Sequence, residues 1–553
     1  MTGTGRTDKR GHDVLRDPLL NKGTAFTAAE RDHLGLEGLL PALHTDIETQ
    51  ARRAYGIVAR HGAPLDRYLA LAELQDRNET LFHRVLLDHL EEFMPVIYTP
   101  TVGEAAREYS TMFRRGRGVW ITPEHRGRMV DVLRCASAGR RIRLLVATDN
   151  EAILGIGDQG AGGMAISVGK LALYTAAAGI APSATLPVSL DVGTENAALR
   201  ADPAYIGWNQ PRLRGAEYEA FVDEFVTAVE TVFPGALVQW EDLRKDNALS
   251  ILERYRDRLQ SFNDDVQGTG AVALAGLLSA LRVTGVPRTS VRVVVHGAGA
   301  AGLGIARQLR TAIEAAGATQ EDAHGAVAVL DSRGLIVAGR PLQDAYKQEL
   351  AWTRAVAERY GVGDDHSLEA VIEGFRPHVL IGASGQGGAF PEPVVRAMAR
   401  HVDRPVVLPF SNPTSSTEVL PSDVIAWTEG RALVATGSPF EPVVREGRTF
   451  EIGQGNNVFI FPGLGLGALL AGPHAPVTDA MLNAAAEALA GAVTREELDR
   501  GLLFPAIGRL REVTARVAAA VLRTADAAVG DEAVALERVR SAMWSPQYPV
   551  YCA

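Results

Sequence analysis

The chain predicts an α/β protein in which a helical N-terminal domain is followed by a βα domain and a doubly wound parallel sheet. Three observations lead there. From about Arg143, short apolar runs ending in Gly or Asp alternate with Ala-rich stretches, and a parallel strand pair needs such a crossover between its members. Five more apolar runs follow residue 265, enough for a doubly wound sheet. The first of these runs leads directly into a glycine-rich turn and an amphipathic helix.

In chain order, residues 1–117 form the helical domain: between Tyr68 and Phe93, Leu69, Leu71, Leu74, Leu81, Val85, Leu86 and Leu90 recur at helical spacing. Residues 118–264 carry the strands Leu144-Leu-Val-Ala147 and Leu186-Pro-Val-Ser-Leu190 around a helix from Gly169 to Ala178. Residues 265–456 carry Val291-Arg-Val-Val-Val295, Ala326-Val-Ala-Val-Leu330, Val379-Leu-Ile381, Val406-Val-Leu408 and Leu433-Val-Ala435. Residues 457–528, Gly- and Ala-rich and helical, complete the second domain, and 529–553 form a tail with Pro and aromatics from Trp544.

Composition removes several classes. With 46% hydrophobic and 22% charged residues the chain is that of a soluble globular protein of several domains. A net charge of -10, with basic residues clustered only at Arg114-Arg-Gly-Arg117 and Arg140-Arg-Ile-Arg143, argues against a nucleic-acid partner. Cys135 and Cys552 are too few for a disulfide framework or a thiolate zinc site, which fits a reducing cytoplasm. The polar N-terminus and the expected absence of any 18-residue apolar run exclude a membrane role.

Two acidic pairs, Glu241-Asp242 and Asp264-Asp265, close segments that otherwise read as buried. The first follows the strand Ala236-Leu-Val-Gln-Trp240; the second lies in Ser261-Phe-Asn-Asp-Asp-Val-Gln-Gly268, ahead of a small-residue helix. Carboxylates inside a core need compensation, and several oxygens converging on one cleft suit a hard cation such as Mg²⁺ or Mn²⁺.

The pattern Gly-x-Gly-x-x-Gly occurs twice, at Gly155, Gly157, Gly160 and at Gly297, Gly299, Gly302. Only the second stands between a buried strand and a helix, with Asp331 ending the next strand; a pyrophosphate fits such a turn and Asp331 fits ribose hydroxyls. In the first, Asp158 would set a negative charge against the diphosphate. The dinucleotide is therefore assigned to Gly297, Gly299, Gly302 and Asp331, in a Rossmann-like domain, and the first turn to the substrate side. His296 reads as structural.

Taken together, Leu19-Leu-Asn-Lys-Gly-Thr-Ala-Phe26, Pro95-Val-Ile-Tyr-Thr-Pro-Thr-Val-Gly103, Ile153-Leu-Gly-Ile-Gly-Asp158, Val168-Gly-Lys170, Leu190-Asp-Val-Gly-Thr194, both acidic pairs, Ser411-Asn-Pro-Thr414 and Gly453-Gln-Gly-Asn-Asn-Val458 resemble the malic enzyme family. The resemblance implies oxidative decarboxylation of L-malate to pyruvate and CO₂ with a nicotinamide cofactor and Mn²⁺ or Mg²⁺. It implies Lys170 as the base for the hydroxyl proton, helped by Asp264, and Tyr98 as the acid that protonates C3. Glu241, Asp242 and Asp265 become the metal ligands, while Asn412 and Asn456 match positions that hold the substrate carboxylates or the nicotinamide. Asn412, before a proline, also reads as a turn former. A homodimer or homotetramer is implied.

One position departs from the family. Many members carry an Arg that grips a malate carboxylate where this chain has Ala152, in Thr148-Asp-Asn-Glu-Ala152. Arg141 or Arg143, or a polar network, is expected to take over that anion. The departure also raises an alternative, the related malolactic enzymes, which release lactate with no net redox change. For the coenzyme, Asp331-Ser332 lacks an adjacent cation for a 2′-phosphate and favours NAD, although Arg333 and Lys347 leave NADP possible.

Overall fold

The computed structural model describes residues 4–153, 155–342, 344–473 and 475–551; Leu154 of the first glycine turn and Cys552 lie outside them. The chain folds as two compact units, one of residues 1–151, 158–236 and 541–553, the other of residues 152–157 and 237–540.

In the first unit the periodic stretch around Tyr68 is three helices, Pro64–Arg77, Glu79–Asp88 and Leu90–Ile97, rather than one. Asn78 makes the first break: its backbone leaves the helical region and its side chain caps the next helix by accepting from the Leu81 N–H at 2.9 Å. The helices are followed by the parallel strands Val119–Ile121, Thr185–Leu190 and Leu144–Thr148, adjacent in that order. Thr185–Leu190 and Leu144–Thr148 are buried along their whole length, as parallel strands covered on both faces are. The crossover between them contains the buried helix Met164–Leu173, which begins before the expected Gly169 and widens into a π-turn, Tyr174–Ala178. A short strand absent from the sequence reading, Thr4–Gly5, pairs in parallel with Val550–Tyr551 of the tail.

The second unit opens with the parallel pair Leu237–Glu241 and Ser261–Asn263 and the core helix Thr269–Thr284. Counted from Asp264, this helical stretch is 21 residues long and apolar enough to cross a membrane, which corrects the expectation of no such run. The 18-residue apolar window within it is 72% buried inside the protein, so it is a core helix by location.

A seven-stranded sheet then runs Gly453–Gln454, Leu433–Thr436, Val406–Pro409, Val379–Gly382, Val293–His296, Val327–Asp331, Gly334–Leu335. All pairs are parallel except the last, which is antiparallel. All five expected strands are present, the first beginning two residues later and ending one residue nearer the glycine turn than expected. Chain order reverses between Val293–His296 and Val379–Gly382, and the crevice at the carboxyl ends of such strands is where doubly wound sheets hold ligands. One face is covered by a core that includes Trp352, Phe375, Leu380 and Val407. Helices Phe461–Ala471, Asp479–Ala492 and Leu510–Ala525 pack on one another, Gly463 and Gly467 admitting Val517 and Val521 at close range.

Candidate active site

In the second unit both acidic pairs sit at one edge, because Leu237–Glu241 and Ser261–Asn263 are parallel neighbours with Trp240 opposite Asn263. Glu241 is buried as the last residue of a wholly buried strand and accepts from Gln239 Nε2 at 2.8 Å. Asp242 turns into the left-handed region (φ 54°), which a short polar side chain tolerates. Its N–H donates to Asp265 Oδ2 at 2.8 Å, and its carbonyl accepts from the Ala152 N–H at 2.9 Å. One carboxylate oxygen from each of Glu241, Asp242 and Asp265 lies within 4.8 Å of the other two. Three largely buried carboxylates this close repel when ionised, and an all-oxygen set of charge −3 fits a hard divalent cation.

Asp264, fully buried, is held differently. Asn457 Nδ2 donates to both its carbonyl and its Oδ2 at 3.2 Å and to Thr269 Oγ1 at 3.1 Å. The carboxylate folds back over Gly268, where a Cβ would meet Asp264 Oδ1 at 2.0 Å. Asn457 is a residue the sequence reading passed over in favour of Asn456. Asn456 Oδ1 caps the turn that follows by accepting from the Val458 N–H at 2.9 Å, and Asn412 Oδ1 accepts from Ser438 Oγ.

The second glycine turn leaves strand Val293–His296 at the point of strand-order reversal. Gly297 has φ 125°, and a Cβ there would lie 2.2 Å from the Ala383 carbonyl oxygen. A Cβ on Gly302 would lie 1.8 Å from the Gly297 carbonyl oxygen, so helix Ala300–Ala315 abuts the turn, with its N-terminal N–H groups at the crevice. Nothing within 4 Å faces Gly299. Asp331, ending the adjacent strand, accepts from the Arg333 N–H at 2.9 Å, from Lys347 Nζ at 3.3 Å and from Arg340. Burial pushes its pKa up, but these donors outweigh burial and hold it below the ordinary carboxylate value. Lys347 thus stands where the sequence put it, the Arg333 guanidinium turns away to the Pro341 carbonyl, and Arg340 is an addition. His296 stacks edge-on against Phe390, and burial lowers its pKa.

In the first unit, Lys170 is 1% exposed and its Nζ stands 5.2 Å from the centre of the Tyr98 ring. Gly169 makes the contact: a Cβ there would meet the Ile97 carbonyl oxygen at 2.6 Å, so the helix bearing Lys170 packs on the end of the helix preceding Tyr98. Asp158 does not confront a ligand with bare charge. The Arg212 guanidinium, wholly buried, binds both its oxygens at 2.6 and 2.7 Å and also donates to the Asp149 carbonyl at 2.8 Å. Burial raises the Asp158 pKa, yet Arg212 outweighs it and the net direction is down. Asp149 goes the other way: burial raises it more than Arg212 and the Tyr218 hydroxyl, 2.6 Å away, lower it.

The expectation for Arg141 and Arg143 fails. They precede strand Leu144–Thr148, whereas Glu151 follows it, and about 3.3 Å per residue puts roughly 17 Å of strand between them. Besides Arg212 at the Asp149 carbonyl, the guanidinium that reaches this loop is Arg214, 2.7 Å from Glu151. Sixty-three residues separate the two, so no spacing rule reveals the pair.

A glycine turn at the reversal of a doubly wound sheet, with a buried carboxylate cluster in the same unit, defines an α/β dinucleotide-binding protein. Residues 75–256 match the model described as malic enzyme, N-terminal domain, and residues 266–526 that of malic enzyme, NAD binding domain. The chain is 44% identical to an NAD-dependent malic enzyme of Acinetobacter baylyi over 100% of this chain and 99% of that one. It is 46% identical to one of Pseudomonas aeruginosa, with 98% and 97% covered. The chain belongs to the malic enzyme family. Among solved structures, the malic enzyme of Entamoeba histolytica shares the fold at 22% identity (TM-score 0.55; 94% and 92% covered), as does that of Pyrococcus horikoshii at 25% (0.52; 82% and 88%).

Proposed function

We propose that this chain catalyses the oxidative decarboxylation of L-malate to pyruvate and CO₂ with reduction of NAD, dependent on Mn²⁺ or Mg²⁺. The observation that carries the reading is likeness to NAD-dependent malic enzymes along the whole chain. Lys170 takes the proton of the C2 hydroxyl, a role suited to an amine enclosed in a buried helix face beside Tyr98. Tyr98 returns a proton to C3 once the neighbouring carboxylate has left as CO₂. Asp264, fixed by Asn457, assists the first transfer. Glu241, Asp242 and Asp265 would hold the cation, which when bound supplies Lewis acidity toward the C2 oxygen. Gly297, Gly299, Gly302 and Asp331 would hold the dinucleotide, whose nicotinamide supplies the hydride acceptor, with Asn412 and Asn456 at its nicotinamide end or at a substrate carboxylate. Arg214 replaces Arg141 and Arg143 as the candidate for the anion contact missing at Ala152. We also propose the functional limits 118–264 and 457–528 for the substrate domain and 265–456 for the NAD domain, a cytoplasmic location, and assembly as a homodimer or homotetramer.

The test is direct. Purified protein given L-malate, NAD and Mn²⁺ should produce NADH and pyruvate in equal amounts. Stoichiometric lactate without NADH would instead assign the malolactic reaction.

A further inference from the structure

We propose that Glu418 is a positioning residue for the dinucleotide, clamping together the two loops that bound the crevice beside the glycine turn. The inference rests on the dinucleotide reading above. Strands Val379–Gly382 and Val406–Pro409 are parallel neighbours, so the loops leaving them emerge side by side. The first begins Ala383-Ser384, and its Ala383 carbonyl is the wall against which Gly297 turns. The second is Ser411-Asn-Pro-Thr414.

Glu418 is completely buried and lies beneath both loops. Its Oε1 accepts from the Ser384 N–H at 2.9 Å, from Ser384 Oγ at 2.8 Å and from Ser411 Oγ. Ser411 Oγ in turn accepts from the Gly385 N–H at 2.9 Å, which closes the link between the loops. The Glu418 backbone carbonyl takes the Phe390 N–H at 3.0 Å, at the far end of the first loop.

The sequence makes room for this carboxylate. Gly382, the last residue of its strand, has no Cβ where one would come within 2.4 Å of Glu418 Oε2. That second oxygen is buried with no hydrogen-bond partner among the described residues, a costly arrangement for a carboxylate that only filled space. Three donors converge on one carboxyl oxygen, and an amide oxygen in its place holds them less tightly than a carboxylate does. The clamp therefore fixes the Gly297 wall on one side and, through Ser411, the backbone of Asn412 on the other.

The experiment is equilibrium titration of NADH, followed by its fluorescence, against the full-length protein, E418Q, S411A and the double variant, with melting temperatures taken alongside. E418Q keeps the shape and removes the charge; the lost charge-assisted bonds should raise the NADH dissociation constant about 10-fold or more. S411A should shift it in the same direction, and the double variant should bind no worse than E418Q, since both changes break one link. In turnover, the KM for NAD should rise more than that for malate. Unchanged NADH affinity in a folded E418Q, or losses that add in the double variant, would overturn the clamp. If E418Q does not fold, S411A decides alone: unchanged affinity there overturns it. A parent protein that binds NADH but leaves malate intact refutes the reaction and not the clamp, whereas one that binds no NADH refutes both.

Discussion

Asp265 does two things at once: its Oδ2 receives the Asp242 N–H, which steadies that residue in its left-handed turn, and its carboxylate completes the cluster with Glu241 and Asp242. Asparagine in its place keeps the acceptor and removes one charge of three. The two effects separate in Asp265→Asn. Calorimetric titration should show Mn²⁺ affinity reduced on the order of 100-fold, because the number of charged ligands sets the affinity of such sites. The melting temperature of EDTA-treated protein should hold or rise, since repulsion among the remaining carboxylates falls. A variant that binds Mn²⁺ like its parent would remove Asp265 from the ligand set. Asp331 shows the same economy: Arg340 and Lys347 neutralise it in place, so a ribose hydroxyl would meet a carboxylate already oriented.

Among the elements, helix Ala300–Ala315 is the one whose placement depends most on a missing atom. Gly302 lies inside it, where alanine gains about 1 kcal/mol of helix propensity over glycine. Here the added Cβ would stand 1.8 Å from the Gly297 carbonyl, and a backbone contact cannot swing aside as a side-chain tip does. Overpacking costs about 1–3 kcal/mol and wins. Gly302→Ala should therefore lower the melting temperature and abolish NADH binding; a higher melting temperature with binding retained would show that the helix does not pack on the turn as described. The same helix shows what a sequence carries at this level. Its strand, turn and Asp331 were legible because each is a local pattern: an apolar run, glycines at fixed offsets, an acid at a strand end. The break at Asn78 was not, since apolar periodicity runs on through it and only the cap marks it. Two-residue edge strands such as Gly334–Leu335 and Gly453–Gln454 have no room for a period. The contacts of Arg340, Arg214 and Asn457 are made by loops or over long separations, and composition is silent about where a loop returns.

For the molecule as a whole, the end of the tail, from Ser541 onward, is a structural part of the first unit. Tyr551 is 5% exposed against Val14, Phe26, Leu34 and Leu36, and the Tyr548 hydroxyl donates to Gln50 Oε1 at 2.6 Å and accepts from Asn78 Nδ2 at 2.9 Å. Beneath them Lys22 and Glu30 form a buried pair at 2.6 Å, with Lys22 Nζ also donating to the Pro549 carbonyl at 2.9 Å and Glu30 Oε1 accepting the Tyr551 N–H at 2.9 Å. Deleting the chain from Trp544 onward exposes this pair and forfeits about 2–3 kcal/mol from the burial of Tyr551 alone. The deletion should also change acid sensitivity. In the intact protein burial pushes the Glu30 pKa up, but Lys22 and the N–H groups of Tyr551 and Thr27 outweigh it, leaving the folded value below the ordinary 4.5. A depressed carboxylate contributes stability that is full above 4.5 and is lost as pH falls through the folded value. Without the tail the Tyr551 N–H is lost and the pair is hydrated, so the burial and the donors that set the folded value both weaken, it returns toward 4.5, and less remains to be lost. Urea unfolding of both forms should therefore show the widest stability gap near neutral pH, narrowing as pH drops below 4.5. A gap that stays constant through that range would mean the tail stabilises the unit by apolar burial only.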